Sequence, residues 1–300
     1  MRILDLIGNT PLIELCKVAA DIPGVRLMAK AEFCNPSGSV KDRAACAMIL
    51  DGIKKGTLTK DKTIVDATSG NTGIAYAMIG ASLGYSVTLY MPRNASPERK
   101  RIILSYGAEI VGTDPLEGSD GAFLAAQAAV RANPGRYFYP DQYNNPENPK
   151  AHYETTGAEI WAQTERGVTH FISGMGTSGT FMGVSRRLKD CDERIKAVAV
   201  QPNSPFHGIE GAKHMESTIK PGIYDESVSD GVITVTTEAA YEMTRRLARE
   251  EGVFVGVSSG ANVSAAVSLS RTLPEGSVVV TVLCDNGTRY LSDPFWEDSK

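Results

Sequence analysis

Short apolar segments alternate with longer amphipathic or small-residue segments along most of the chain. The apolar segments predict β-strands at residues 62–66, 85–91, 109–111, 137–139, 170–173, 197–201 and 277–284. The segments between them predict helices at residues 72–83, 97–106, 121–132, 181–189, 238–251 and 261–269. Such repeated alternation of apolar strands with helices predicts parallel sheets that are covered by helices.

The length of the chain and one polar stretch predict how it is divided into domains. A chain of 300 residues suits one large α/β domain or two modest ones. Residues 140–149 (PDQYNNPENP) are dense in proline and asparagine, which is typical of a linker. We therefore expect an N-terminal domain at residues 1–145 and a C-terminal domain at residues 146–300, with room for the first ~35 residues to pack on the other domain.

Two long uncharged runs, at residues 67–92 and 252–270, are long enough to be mistaken for membrane spans. Several glycines and serines interrupt each run, and in a bilayer such breaks would leave backbone groups unsatisfied. We interpret both runs as buried strand and helix segments and expect no membrane partner. The N-terminus MRILDLIGNTPL has no basic region followed by an apolar stretch, so we expect no secretory signal and a cytoplasmic location.

Charge, cysteine content and histidine content exclude several classes of partner. The net charge is −4, the isoelectric point is ≈ 5.7 and no lysine- or arginine-rich block occurs, so we expect no nucleic-acid partner. The five cysteines are widely spaced without a Cys-x-x-Cys pair, which indicates reduced thiols. The four histidines have no ligand spacing with one another or with cysteine, so we expect no metal site.

Lys41 lies at the start of an apolar helix, within the segment NPSGSVKDR at residues 35–43. The positive end of a helix favours the neutral amine, and imine formation with an aldehyde needs a neutral amine. The alternative is a surface lysine beside a helix start that Ser39 caps. Taken alone, this segment favours the second interpretation.

Residues 68–73 (TSGNTG) directly follow a predicted strand and open a predicted helix. They supply hydroxyls, an amide and backbone N–H groups at a helix N-terminus, an arrangement suited to bind an anion such as a carboxylate. The alternative is an ordinary helix cap. A cap explains one such residue well, but it explains a row of polar and glycine positions less well.

Residues 174–180 (GMGTSGT) satisfy the pattern G-x-G-x-x-G between a predicted strand and a predicted helix. A dinucleotide site would need an acidic residue at the end of the next strand, where Gln201 lies instead. The hydroxyls of Thr177, Ser178 and Thr180 suit a phosphate monoester, which has more acceptor oxygens than a diester. The segment therefore favours a monophosphate site over a nicotinamide dinucleotide site.

Residues 256–260 (GVSSG) precede a small-residue helix and by themselves predict only a helix cap. Together with the other segments they resemble the cysteine synthase (O-acetylserine sulfhydrylase) family, among the fold-type II enzymes that use pyridoxal 5′-phosphate (PLP). The matching segments span almost the whole chain in the family's order: IGNTPL (7–12), NPSGSVKDR (35–43), ATSGNTGIA (67–75), YGAE (106–109), DQYNNPENPKAHYETTGAEIW (141–161), GMGTSGT (174–180) and GVSSG (256–260). AHYETTG and CDNGTRYLS make the chain more similar to the B-type enzymes.

The resemblance implies a fold and a role for individual residues. The fold is two three-layer α/β/α domains with mainly parallel sheets, similar to tryptophan synthase β, with the active site in the cleft between them. Lys41 would carry PLP as a Schiff base, Asn71 would bind its 3′ oxygen and Ser258 would face its pyridine nitrogen. The residues that would bind its phosphate are Gly176, Thr177, Ser178, Gly179 and Thr180. The residues that would bind the substrate carboxylate are Thr68, Ser69, Thr72 and Gln142.

The reaction that the resemblance implies is a β-replacement that makes L-cysteine from O-acetyl-L-serine and sulfide through an α-aminoacrylate. Ser258 carries no charge, so the ring would be a weak electron sink, which suits elimination followed by replacement. The family also implies a homodimer that acts on small-molecule substrates.

Other substrates and other classes of protein stay open from the sequence. An O-phosphoserine sulfhydrylase, or a synthase that takes sulfur from thiosulfate or a thiocarboxylated carrier protein, is the nearest alternative. Lys213, in IEGAKHM at residues 209–215, would then meet the substrate phosphate or the anionic sulfur donor, or it would be a solvated lysine. From other classes, an NAD-dependent dehydrogenase built on GMGTSG and an inactive regulatory homologue remain.

Overall fold

The computed structural model of the chain describes residues 1–68 and 70–297. The strands are β1 (Leu12–Glu14), β2 (Arg26–Ala31), β3 (Thr63–Ala67), β4 (Val87–Pro92), β5 (Glu109–Thr113), β6 (Tyr137–Phe138), β7 (His170–Gly174), β8 (Lys196–Pro202), β9 (Gly231–Val235) and β10 (Val278–Leu283). The α-helices are α1 (Lys41–Lys54), α2 (Asn71–Leu83), α3 (Pro97–Ser105), α4 (Gly118–Ala132), α5 (Glu147–Glu154), α6 (Thr156–Gln163), α7 (Gly179–Cys191), α8 (Thr237–Arg246) and α9 (Val257–Ser270).

The chain divides into two compact units. Unit 1 consists of Met1–Ile7 and Lys41–Asn148, and unit 2 consists of Gly8–Val40 and Pro149–Lys300. The sequence suggested a division after residue 145, and the division in the structure follows residue 148. An early segment, Gly8–Val40, belongs to unit 2 because β2 pairs with β10 of that unit in parallel over its whole length.

Unit 1 contains a four-stranded parallel sheet in the order β5-β4-β3-β6. Its core lies where α1 and α2 pack against each other and on the sheet. Small residues let α2 approach the strands closely, since a Cβ atom on Gly80 would collide with Val87 of β4. Gly84 ends α2 in the left-handed region, at φ 71°, as expected for a glycine after a helix.

Unit 2 contains a six-stranded sheet in the order β1-β2-β10-β7-β8-β9. All neighbouring strands are parallel except β1, which pairs antiparallel with β2 at the edge. Successive residues of the central strand β10 enter two different cores, with Val278 and Val280 on one face and Val279 on the other. Helices α8 and α9 contribute to the first core and α6 and α7 to the second, so the unit has three layers.

The predicted fold class is confirmed, but strands β1, β2 and β9 and helices α5 and α6 were not predicted. Every predicted strand and helix lies on an element of the same type. The sheets are mainly parallel, as expected, and among the described strands β1 is the antiparallel one. Strand β2 was missed because Lys30 interrupts its apolar pattern, although this lysine is fully buried and its Nζ lies 2.7 Å from Glu159 Oε2. Helix α5 was missed because it begins at Glu147, inside the stretch that the sequence marked as a linker.

The two uncharged runs form strands and helices of the two units, as expected. Over residues 1–68 and 70–297, no helix has both the length and the apolar character that a membrane crossing requires.

Candidate active site

Lys41 is the first residue of α1 and is half-buried. The residues just before it are fixed to the C-terminal part of unit 2 by backbone hydrogen bonds. The Val40 N–H donates to the Cys284 carbonyl at 2.8 Å, and the Gly38 carbonyl accepts from the Asn286 N–H at 3.2 Å. Gly38 has a φ of 85°, which favours glycine in this turn. These hydrogen bonds fix the backbone of unit 2 up to Val40, the residue before Lys41.

Two of the sequence motifs have a structural role, because their residues form buried polar contacts. In IGNTPL, the Thr10 hydroxyl donates to Glu32 Oε1 at 2.7 Å. In NPSGSVKDR, the Asn35 amide donates to Glu32 Oε2 at 2.8 Å, and its oxygen accepts from the Gly8 N–H at 2.9 Å. These groups lie within unit 2 and hold together the two ends of the Gly8–Val40 segment, which contains β1 and β2.

The turn between β3 and α2, residues 68–73, is called the substrate turn below. The Thr68 N–H donates to Tyr90 of β4 at 3.0 Å, and Thr68 Oγ1 accepts from the Gly70 N–H at 3.3 Å. Asn71 begins α2 and is half-buried. Ser69, which the sequence also assigned to carboxylate binding, lies outside the described residues.

Thr72 and Gln142, two residues predicted to bind the substrate carboxylate, are in direct contact. The Thr72 hydroxyl donates to Gln142 Oε1 at 2.9 Å, and both side chains are buried. Asn148 supports the same segment by donating to the Gln142 carbonyl at 2.7 Å. Because Gln142 uses its oxygen toward Thr72, its amide nitrogen is the atom that can donate to a carboxylate.

A buried carboxyl group lies at the base of the substrate turn. Asp66, in β3, is 1% exposed, and its Oδ1 accepts from the Ala67 N–H at 2.7 Å. Its Oδ2 is buried without a hydrogen-bond partner. Burial raises the pKa of Asp66 from 3.8 to about 7, because the charged form is poorly solvated there. The sequence did not mark this residue, since one aspartate in an apolar strand has no motif around it.

The turn between β7 and α7, residues 174–180, is called the phosphate turn below. A Cβ atom on Gly176 would collide with the Gly211 carbonyl, so only glycine fits there. Ser178 adopts a left-handed conformation, with φ 70°, and its buried Oγ has no hydrogen-bond partner. The first N–H groups of α7 lack partners within the helix, as at every helix start. N–H groups without partners inside the helix and a buried hydroxyl at a helix N-terminus are groups that suit a phosphate.

Two neighbouring segments support the phosphate turn. Thr180 Oγ1 lies 3.2 Å from Nε2 of His152, a buried residue of α5. The Lys213 N–H donates to the Met175 carbonyl at 2.8 Å, which fixes the backbone of residues 211–213 against the turn. The sequence did not predict the role of His152, although this histidine lies in the AHYETTG segment that carried the resemblance.

Asn262 connects the phosphate turn to the helix that carries Ser258. Ser258 is the second residue of α9 and is half-buried. Asn262, one turn later and 1% exposed, accepts from the Gly174 N–H at 2.7 Å and donates to the Val282 carbonyl at 2.8 Å. The sequence reasoning missed Asn262, but a single amide within the small-residue helix at 261–269 was an available signal. Within unit 2, Asn262 thus links the backbone of the predicted phosphate site to the helix that carries Ser258, the predicted partner of the pyridine nitrogen.

Comparisons with known proteins identify the family of this chain. Residues 3–285 match the family described as Pyridoxal-phosphate dependent enzyme. The Cysteine synthase of Aquifex aeolicus (strain VF5) is 52% identical, covering 99% of this chain and 92% of that protein. Cysteine synthase B of Pseudomonas aeruginosa is 44% identical, covering 98% of this chain and 97% of that protein. The crystal structure of Cysteine Synthase (OASS) from Entamoeba histolytica is 36% identical, with a TM-score of 0.95, covering 100% of this chain and 91% of that chain.

The described residues fit the cofactor that this family uses. The phosphate turn has a backbone cradle that a Cβ atom at Gly176 would fill, and a buried hydroxyl at Ser178 that has no protein partner. The matched span includes every residue to which the sequence assigned a role. The similarities confirm the predicted cofactor, and the chain belongs to the cysteine synthase family of pyridoxal-phosphate dependent enzymes.

Proposed function

We propose that the protein is a cysteine synthase that makes L-cysteine and acetate from O-acetyl-L-serine and sulfide. The observation that carries this proposal is similarity over nearly the full length to proteins named cysteine synthase. The phosphate turn supports it further, because its hydroxyls and backbone groups suit a monophosphate cofactor.

Each unit has its own role in this proposal. In unit 2, residues 176–180 hold the phosphate and Ser258 faces the pyridine nitrogen. In unit 1, Lys41 is the covalent attachment point and Asn71 donates to the 3′ oxygen. The predicted location of the active site, in a cleft between the two domains, stays a prediction.

The substrate turn recognises the carboxylate of the amino-acid substrate. Thr68 and Thr72 supply hydroxyls, and the Gln142 amide nitrogen supplies a second kind of donor. The contact between Thr72 and Gln142 supports this assignment, because it fixes which atom of the Gln142 amide faces an anion. Ser69 is assigned to the same role from the resemblance alone.

Lys41 moves the proton that the reaction requires. Bound PLP supplies an aldehyde carbon that attaches to amino groups and a ring that withdraws electrons from the substrate's α-carbon. With the cofactor and the substrate bound, the Lys41 amine would take the proton from the substrate's α-carbon. The acetate then leaves the β-carbon, sulfide adds to the same carbon, and Lys41 returns the proton to the α-carbon.

Ser258 limits how much negative charge can accumulate during this proton transfer. A serine hydroxyl is uncharged, so it cannot hold the pyridine nitrogen protonated as a carboxylate would. Loss of the leaving group should therefore follow closely after loss of the α-proton. This preference suits β-replacement.

Three finer assignments belong to the proposal as well. We expect a homodimer and a cytoplasmic location, and we keep a sulfur-carrier protein as a candidate donor. Lys213 is assigned to anion binding at the substrate or sulfur-donor position. The backbone contact of Lys213 with Met175 supports a position beside the phosphate turn.

The first experiment tests Lys41 as the attachment point. The purified protein with added PLP should show a visible absorption band and a PLP–peptide adduct after borohydride reduction. Lys41→Ala should abolish both, and turnover should fall by several orders of magnitude because proton transfer and covalent attachment are both lost. Lys54→Ala is the matched control, since Lys54 is an exposed lysine of the same helix. Full turnover by the Lys41→Ala variant would remove Lys41 from the proposal.

The second experiment tests the substrates. The ratio kcat/KM is measured for O-acetylserine and O-phosphoserine, each with sulfide and with thiosulfate. We expect the highest value with O-acetylserine and sulfide. A higher value with O-phosphoserine or thiosulfate would replace the proposed substrates, and PLP binding without any turnover would indicate a regulatory homologue.

A further inference from the structure

His152 lies between two threonine hydroxyls and contacts one with each ring nitrogen. Its Nε2 is 3.2 Å from Thr180 Oγ1 of the phosphate turn, and its Nδ1 is 2.9 Å from Thr156 Oγ1 at the start of α6. Both His152 and Thr156 are almost completely buried, at 1% and 0% exposure. Because water has little access to the imidazole, its protonation pattern depends on its protein neighbours, and these two hydroxyls are among them.

The two hydroxyls need different hydrogen-bonding roles from the two ring nitrogens, because one nitrogen must accept and the other must donate. A neutral imidazole has one N–H donor and one acceptor nitrogen. The hydroxyl hydrogen of Thr156 is buried beside Nδ1, and a buried donor without an acceptor is costly. Thr156 is therefore satisfied when it donates to Nδ1, which places the imidazole proton on Nε2. The Nε2–H group then donates to Thr180 Oγ1, and the hydroxyl hydrogen of Thr180 is directed away from His152.

Close packing between two helices keeps His152 beside Thr180. A Cβ atom on Gly183 of α7 would collide with the Pro149 carbonyl and would lie 2.7 Å from the His152 Cβ atom. A side chain at Gly183 would thus force α5 away from α7. The glycine is required for the approach that brings His152 within reach of the phosphate turn.

We propose that His152 is a positioning residue that holds the Thr180 hydroxyl with its hydrogen toward the cofactor phosphate. The inference rests on the proposed function, because it assumes that residues 176–180 bind the PLP phosphate. The reverse imidazole tautomer would take the hydrogen of Thr180 and turn its oxygen lone pairs toward an anion. The tautomer of a residue outside the phosphate turn thus decides whether Thr180 attracts or repels the phosphate.

The first test reads the tautomer directly. Nitrogen-15 NMR of the uniformly labelled protein at neutral pH, with His152→Gln used for assignment, should show His152 as the neutral Nε2–H form. A neutral Nδ1–H form or a doubly protonated ring would overturn the proposal. This measurement needs no PLP, so its result stands even if the proposed function fails.

The second test measures PLP affinity in matched variants. His152→Gln keeps a donor near the position of Nε2, whereas His152→Asn keeps one only near Nδ1. We expect about 10-fold weaker PLP binding for His152→Asn, the lower end of the effect of a hydrogen bond to a charged group, and a smaller loss for His152→Gln. The phosphorus-31 resonance of bound PLP should shift in His152→Asn and less in His152→Gln. Equal affinities for the two variants would contradict the proposal.

A third variant separates positioning from a general structural effect. In a Thr180→Val background no hydroxyl remains to be directed, so His152→Asn should cause no further loss of PLP affinity. An undiminished loss in this background would mean that His152 only supports the fold, and the proposal would fail. Absence of PLP binding by the unmodified protein would instead count against the proposed function.

Discussion

The substrate turn of unit 1 and the phosphate turn of unit 2 have similar compositions but different supports. Both connect a parallel strand to a helix, and both are rich in glycine and hydroxyl residues. Around the phosphate turn, Gly176 is packed against the Gly211 carbonyl, and neutral side chains such as Asn262 fix the backbone. At the substrate turn, a Cβ atom on Gly70 would meet nothing within 4 Å, and a buried carboxyl lies at the base.

The difference corresponds to the two kinds of ligand that we assign. A tightly packed backbone with neutral supports suits a cofactor that stays bound, because the site is complete before the ligand arrives. A turn with open space above it suits a substrate that enters and leaves in every cycle. Three changes test whether this contrast is real.

The largest expected effect concerns the buried carboxyl below the substrate turn. Since the pKa of Asp66 is raised from 3.8 to about 7, the folded state keeps its proton over a pH range in which the unfolded state loses it. The contribution of Asp66 to stability should therefore fall as the pH rises from about 4 to about 7 and stay low above that. Asp66→Asn removes this titration, so its free energy of unfolding relative to the unmodified protein should rise over that interval by at most about 4 kcal/mol.

Urea unfolding at several pH values measures this difference. Asp61→Asn is the matched control in unit 1, because Asp61 is exposed and its pKa is lowered by hydrogen bonds with Thr59 and its own backbone. Its titration lies below that interval, so we expect a constant difference from the unmodified protein between pH 5 and 8. A constant difference for Asp66→Asn as well would show that Asp66 is not a neutral buried group.

The second expected effect concerns packing in the phosphate turn. Gly176→Ala introduces a Cβ atom into the Gly211 carbonyl, and overpacking of this kind costs about 1–3 kcal/mol. We expect roughly 10- to 100-fold weaker PLP binding, measured by equilibrium dialysis after removal of the cofactor. Gly70→Ala, in the open substrate turn, should keep PLP bound and change mainly the KM of the amino-acid substrate. Equal PLP affinities for the two alanine variants would remove the contrast between the turns.

The smallest expected effect concerns carboxylate recognition. Gln142→Ala removes the amide nitrogen that we assign to the carboxylate and leaves the Thr72 hydroxyl without its partner. We expect the KM of O-acetylserine to rise about 10-fold, at the lower end of the effect of a hydrogen bond to a charged group. The KM of sulfide and the affinity for PLP should change little. Steady-state kinetics with each substrate varied in turn decides this, and an unchanged KM of O-acetylserine would exclude Gln142 from carboxylate binding.

The sequence was most informative where a local pattern has one physical meaning. Apolar runs between helical segments predicted the four strands of the sheet in unit 1 and strands β7, β8 and β10 of the sheet in unit 2, and GMGTSGT predicted a turn at a helix N-terminus. The sequence was least informative where a residue's structural role depends on partners that lie far away along the chain. Strand β2 contains a buried lysine whose Nζ is paired with Glu159 and donates to Gln163 Oε1, and α5 begins within a proline-rich stretch.

The sequence by itself determined the family, the cofactor and the candidate residues, because these depend on short motifs in a fixed order. Only the tertiary structure decided what surrounds those residues. Gly176 is required because of a carbonyl 35 positions away, and Thr180 meets a histidine from another helix. Asp66 has a raised pKa because the folded chain excludes water from it. Contact, packing and desolvation depend on positions in space, and no local pattern of residues specifies them.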